Sequence, residues 1–102
     1  MDTTIEVFEK NQKTVTWTCT AGLASLSGYT ATLTVKNTLE DTEDDLISVE
    51  GDIADLVVTF DVTKTLNALT AKKYFYEITL VSTANNYTVA QGYYEVKKSL
   101  KF

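Results

Sequence analysis

Histidine, arginine and proline are absent from the chain, and cysteine occurs once, at position 19. Without histidine there is no usual base for a Ser or Cys nucleophile, and the commonest metal ligand is gone. Without arginine there is no planar fork to grip phosphate or guanine in bidentate fashion. The nine basic residues are all lysine and stand against fourteen acids, a net charge of −5 that opposes a phosphate backbone. Nucleic acid is therefore not an expected partner. A single cysteine can form neither an intrachain disulfide nor a thiolate metal site. The four glycines, Gly22, Gly28, Gly51 and Gly92, are scattered, so no phosphate-binding loop is written here. No apolar run reaches the ~20 residues of a membrane helix. The opening Met1-Asp2-Thr3-Thr4-Ile5-Glu6 has no basic stretch followed by an apolar one, and synthesis in a cytoplasm is expected. The lack of proline carries no conclusion.

What is present belongs to a globular chain. At 102 residues it fits one domain, taken as 1–102, and 44% hydrophobic content argues against disorder. A chain of this size buries roughly 60–68% of its unfolded surface, enough for a core but not for a core and a deep cleft. Apolar residues recur with period two. Val15, Trp17 and Cys19 alternate with threonines, as do Tyr29, Ala31, Leu33 and Val35. Leu56, Val58, Phe60 and Val62 form a third such set, and Tyr74, Tyr76, Ile78 and Leu80 a fourth. Such alternation means antiparallel strands with one buried and one wet face. Thr4–Phe8, Leu46–Glu50 and Asn86–Val96 complete a set of about seven strands separated by turn signals, the signature of an immunoglobulin-like antiparallel β-sandwich, with a small barrel as the alternative fold. Thr63–Leu69 reads as one helical turn. In the last strand Tyr87 and Val89 hold one phase and Tyr94 and Val96 the other; a bulge near Gln91-Gly92 would bring all four inward.

Candidate chemistry is sparse. Asp41, Glu43 and Asp45 fall at alternate positions of an acidic run, as in a calcium loop, but Leu46 stands where such a loop needs glycine, and a solvated acidic loop is the plainer reading. Cys19 shares the phase of Val15 and Trp17 and reads as a buried apolar residue rather than a reactive thiol. Asn86-Tyr87-Thr88 matches a glycosylation sequon and, with no secretory signal, reads as coincidence. Trp17 is expected in the core, as are Tyr74 and Tyr76, and Tyr93 is expected to be the exposed tyrosine, available for stacking on a sugar. No catalytic, cofactor-binding or metal residue is assigned, and an enzyme is not expected. At the C-terminus Leu100 and Phe102 continue the phase of Tyr94 and Val96. An extended end with these side chains and Lys97, Lys98 and Lys101 suits addition to another sheet edge; a frayed tail whose lysines discourage aggregation suits the same residues.

The runs Gly28–Lys36, Gly51–Thr63, Tyr74–Leu80 and Tyr87–Gly92, in this order and spacing, resemble the small immunoglobulin-like modules of tailed-bacteriophage virion proteins, and most nearly the N-terminal modules of baseplate upper proteins. The similarity covers roughly residues 12–97; Tyr87–Gly92 and its spacing to Tyr74–Ile78 are its most specific part. Leu69-Thr70-Ala71-Lys72-Lys73 stands where such modules usually carry proline or glycine, and a fibre region after Phe102 is not expected. The resemblance implies a non-enzymatic structural protein located in the virion and made in the host cytoplasm, an auxiliary protein of the capsid decoration type. A baseplate, neck or fibre adaptor is the alternative, and a carbohydrate-binding adhesion module is the reading from another class. The partners it implies are other virion proteins of capsid or tail, and further copies of the chain through sheet edges or the C-terminal strand, with neither nucleic acid nor membrane.

Overall fold

The structure is a computed structural model that describes residues 3–19, 26–37, 46–63 and 69–98. These contain eight strands and no helix: β1 (Thr3–Phe8), β2 (Lys13–Thr18), β3 (Thr30–Lys36), β4 (Ile47–Glu50), β5 (Asp52–Ala54), β6 (Val57–Val62), β7 (Lys72–Val81) and β8 (Asn86–Lys97). They form a five-stranded sheet in the order β1-β8-β7-β3-β4 and a three-stranded sheet in the order β2-β6-β5. Every pairing is antiparallel except β1 with β8. The sheets remain separate among the described residues, so the chain is a two-sheet β-sandwich and not a closed barrel.

Alternation in sequence becomes alternation of environment. On β3, Ala31, Leu33 and Val35 are fully buried and face Val58, Phe60 and Val62 of β6, also fully buried. β7 adds Tyr74, Tyr76, Ile78 and Leu80, β8 adds Tyr94 and Val96, and β1 adds Ile5 and Val7 to one continuous core. Burying such side chains is the main term that holds the sheets together, about 1.5–3 kcal/mol for each large apolar residue.

Where the chain passes between sheets, backbone requirements are strict. Glu50-Gly51-Asp52 is not a hairpin turn. The chain runs on through Gly51 from β4 in one sheet to β5 in the other, and the Gly51 N–H donates to the Ala31 carbonyl at 2.9 Å. A Cβ on Gly51 would lie 2.4 Å from Val58 Cγ1 and 2.7 Å from Phe60 Cε1, so only glycine fits this crossing. At Leu26–Tyr29 the turn before β3 closes with the Tyr29 N–H on the Leu26 carbonyl at 3.1 Å, and Gly28 takes the positive φ of 85° that the third position of a type II turn requires.

The three-residue β5 is the strand that the count of seven omits. The bulge in β8 is real but lies earlier than Gln91-Gly92: Ile78 pairs with Ala90 and Thr79 with Thr88, leaving Val89 as the inserted residue. It returns Tyr87 to the face shared by Leu80, as the phase argument requires. Tyr87 is nonetheless 42% exposed and Val89 half-buried: β1 pairs with β8 only from Gly92 onward, so among the described residues 86–91 have no strand on their outer side. The helical turn expected at Thr63–Leu69 lies largely outside the described residues.

Candidate functional site

Two kinds of surface remain once the core is assigned: the outer face of the five-stranded sheet, and the sheet edges. On the outer face Thr4, Tyr93, Phe75 and Lys36 stand in one cross-strand row. The rings of Phe75 and Tyr93 lie 5.3 Å apart and tilted by 41°, a favourable aromatic geometry, and Lys73 Nζ sits 4.9 Å from the Tyr93 centroid. Beside this row, Glu6, Glu95 and Lys73 are aligned across the strands, and Lys97 forms an ion pair with Glu6. The hydrogen bond and charge of Lys97 hold the Glu6 carboxyl below its usual range, and Glu6 holds the Lys97 ammonium above its own. Further along the face, Thr88 and Gln91 donate to Glu77 Oε1 at 2.9 and 3.4 Å. These polar groups are spent on one another across the pleat.

Tyr93 is half-buried against Phe75, and Tyr87 is the most exposed tyrosine among the described residues. The Tyr87 ring, on the stretch of β8 that β1 does not reach, meets Tyr29 at 6.1 Å between centroids. Tyr74 and Tyr76 are buried, as expected. Trp17 packs on the core from the same face as Val15 and Cys19 but is only half-buried, since β2 is an edge strand. Cys19 is buried, and its N–H donates to the Leu56 carbonyl at 2.7 Å. Asn86, Tyr87 and Thr88 are exposed at the start of β8. The acidic run with Asp41, Glu43 and Asp45, and Leu100 and Phe102 of the C-terminal segment, lie outside the described residues. Among the described residues no three His, Cys, Asp or Glu side chains converge on a point where a metal ion would sit. A groove lined by Thr88, Val89, Ala90 and Gln91 is shallow and broadly open to solvent.

One feature of the connection into β7 has no counterpart in the sequence signals. Tyr74, buried at the start of β7, donates its phenolic hydrogen to the Thr70 carbonyl four residues upstream at 2.8 Å. Burial also raises its pKa. The residue closes the corner by which the chain enters the strand. No protein-family model matches the chain, and no curated protein matches it.

Proposed function

We propose that the chain is an immunoglobulin-like structural module of a tailed-bacteriophage particle, acting without chemistry as an auxiliary protein that decorates the capsid. The strand wiring carries the fold part of this reading. Sheet β2-β6-β5 against β4-β3-β7-β8 corresponds to B-E-D against C′-C-F-G of an immunoglobulin-like domain, with the first strand beside the last rather than beside β2. The Tyr74–Thr70 hydrogen bond supports it independently, because a tyrosine closing the corner before the sixth strand of the seven-strand core, bonded to the backbone just upstream, is a hallmark of such domains. The virion part rests on the resemblance of Gly28–Lys36, Gly51–Thr63, Tyr74–Leu80 and Tyr87–Gly92. An outer face whose polar groups pair with one another suits docking on a larger assembly rather than enclosing a substrate.

Quantitative mass spectrometry of purified particles tests the proposal. A copy number comparable to that of the major capsid protein is the expected result. A few copies per particle would favour the neck, tail or baseplate role, and absence from the particle would refute the virion reading.

The outward Phe75–Tyr93 pair with Lys73 is the observation that favours the second reading, a carbohydrate-binding module. Its rings are tilted and half-buried rather than coplanar and open, which weighs against it. Saturable binding on a glycan array, lost on Tyr93→Ala, would reverse the ranking.

A further inference from the structure

The described strands leave four outer edges, β1 and β4 in the large sheet and β2 and β5 in the small one, and residues 86–91 of β8, which β1 does not reach, add a further stretch of edge interrupted by the Val89 bulge. Proteins blunt such edges with charge, proline, bulges or shortness. Here β4 and β5 have four and three residues and carry Glu50 and Asp52, and β1 carries Glu6 at its centre. In a chain of net charge −5, self-pairing at these edges brings carboxylates together. The β2 edge has one of these protections, Lys13 at its first position, and no other. It runs six residues, Lys13-Thr14-Val15-Thr16-Trp17-Thr18, is uncharged after Lys13, contains no proline, and pairs with β6 without a bulge. The neighbouring β1 pairs with β8 instead, and Trp17 is consequently only half-buried.

We infer that β2 is a self-docking edge: two copies of the chain join their three-stranded sheets through antiparallel β2–β2 pairing about a two-fold axis normal to the sheet. Parity selects the register. Thr14, Thr16 and Thr18 face solvent and Val15, Trp17 and Cys19 face the core side, so each residue must oppose one of its own parity or every side chain changes face. Two such registers overlap by five residues: one sets Val15 opposite Val15 and leaves each Trp17 opposite Lys13, and the other, which covers the indole, sets Thr16 opposite Thr16 of the second copy, Thr14 opposite its Thr18, and Val15 opposite its Trp17. Threonines then pair with threonines outside, and each half-exposed indole is covered by a valine inside. The strand is complementary to itself on both faces and keeps its one charge, Lys13, outside the overlap, which favours a second copy over an unrelated strand. No acidic side chain lies on either strand. A six-residue edge falls short of the ~1,200 Å² that stable interfaces bury, so the dimer forms at high local concentration rather than constitutively. The inference stands on this edge and does not depend on the virion role.

Sedimentation equilibrium of the full chain, with three variants, tests it. The wild-type mass is expected to rise from one chain towards two with concentration. Thr16→Lys, an exposed substitution checked for an unchanged thermal melt, is expected to stay monomeric where the wild type is half dimeric. Directly opposed residues lie ~4.5–5.5 Å apart at Cα, within disulfide reach. Thr16→Cys is therefore expected to give a covalent dimer on mild oxidation and Thr14→Cys not, the wild type with its buried Cys19 serving as blank. A wild type that remains monomeric to about 1 mM, well above the affinities of weak specific complexes, overturns the inference. So does a Thr16→Lys variant that dimerises like the wild type, or cross-linking through Thr14→Cys in preference to Thr16→Cys.

Discussion

Gly51 and Lys10 show opposite relations between a residue and its backbone. Gly51 stands where the chain crosses between sheets, against fully buried side chains of Val58 and Phe60 that have no room to retreat. Gly51→Ala is expected to destabilise the fold by about 1–3 kcal/mol, the usual cost of overpacking a filled core. Urea denaturation would register this as a lower midpoint at unchanged slope. Lys10, in the connection from β1 to β2, holds φ at 61° with a full side chain. Left-handed backbone costs an L-residue about 1–2 kcal/mol that glycine escapes. Lys10→Gly is therefore expected to be more stable than Lys10→Ala by roughly 1 kcal/mol, part of the benefit being offset by glycine's freer unfolded chain. The same denaturation series would show it, and equal midpoints for the two variants would contradict the strain. Neither requirement is readable from the sequence. Glu50-Gly51-Asp52 looks like any turn, and Lys10 carries no mark of its φ.

At the scale of the element, period two was a sufficient guide wherever a strand is long and has one wet face. β3 is the clearest instance: Ala31, Leu33 and Val35 are buried, with Thr32 and Thr34 outside. It fails for β5, where three residues with a single half-buried Ile53 give no period to detect. The reversal of phase along β8 did announce a bulge, but glycine was a poor guide to its place. The inserted residue is Val89, while Gly92 pairs regularly with Tyr76. Strand pairing was not legible either. Nothing in Thr3–Phe8 says that it lies parallel to β8, because that choice depends on how Ile5 and Val7 reach the core. The Tyr74 corner was hidden for a related reason: the tyrosine's phase announces burial, but its acceptor is a carbonyl placed by the path of the chain. Tyr74→Phe keeps the ring and removes only the donor to Thr70. It is expected to cost about 0.5–1.5 kcal/mol, the net worth of one intramolecular hydrogen bond. An unchanged urea midpoint would mean that the corner contributes no stability.

For the whole molecule, charge and burial together define the pH range in which the fold holds. With no histidine to titrate, stability should vary little across neutral pH. On the acid side, the Glu6 carboxyl is held below its ordinary 4.5 by Lys97, so its contribution is present above that value and fades as pH falls through the lowered one. The pair is solvent-exposed and its effect should vanish in ~1 M salt. The alkaline side is governed from inside. Tyr94 is fully buried, and burial pushes its phenol far above the ordinary value of 10.0; the Tyr74 phenol is raised for the same reason. A folded pKa above the unfolded one means that the native state holds the proton more tightly. The associated stability is complete below pH 10 and declines above it, because only the unfolded chain can release the proton there. For Tyr94 the loss can reach about 1.4 kcal/mol per pH unit over that interval. Tyr94→Phe abolishes one of these ionisations. Denaturation midpoints between pH 10 and 12 should therefore fall less steeply for Tyr94→Phe than for the wild type, while the two curves run parallel from pH 6 to 9. Parallel decline above pH 10 would mean that Tyr94 ionises without unfolding, and that the centre of the sandwich is open to hydroxide.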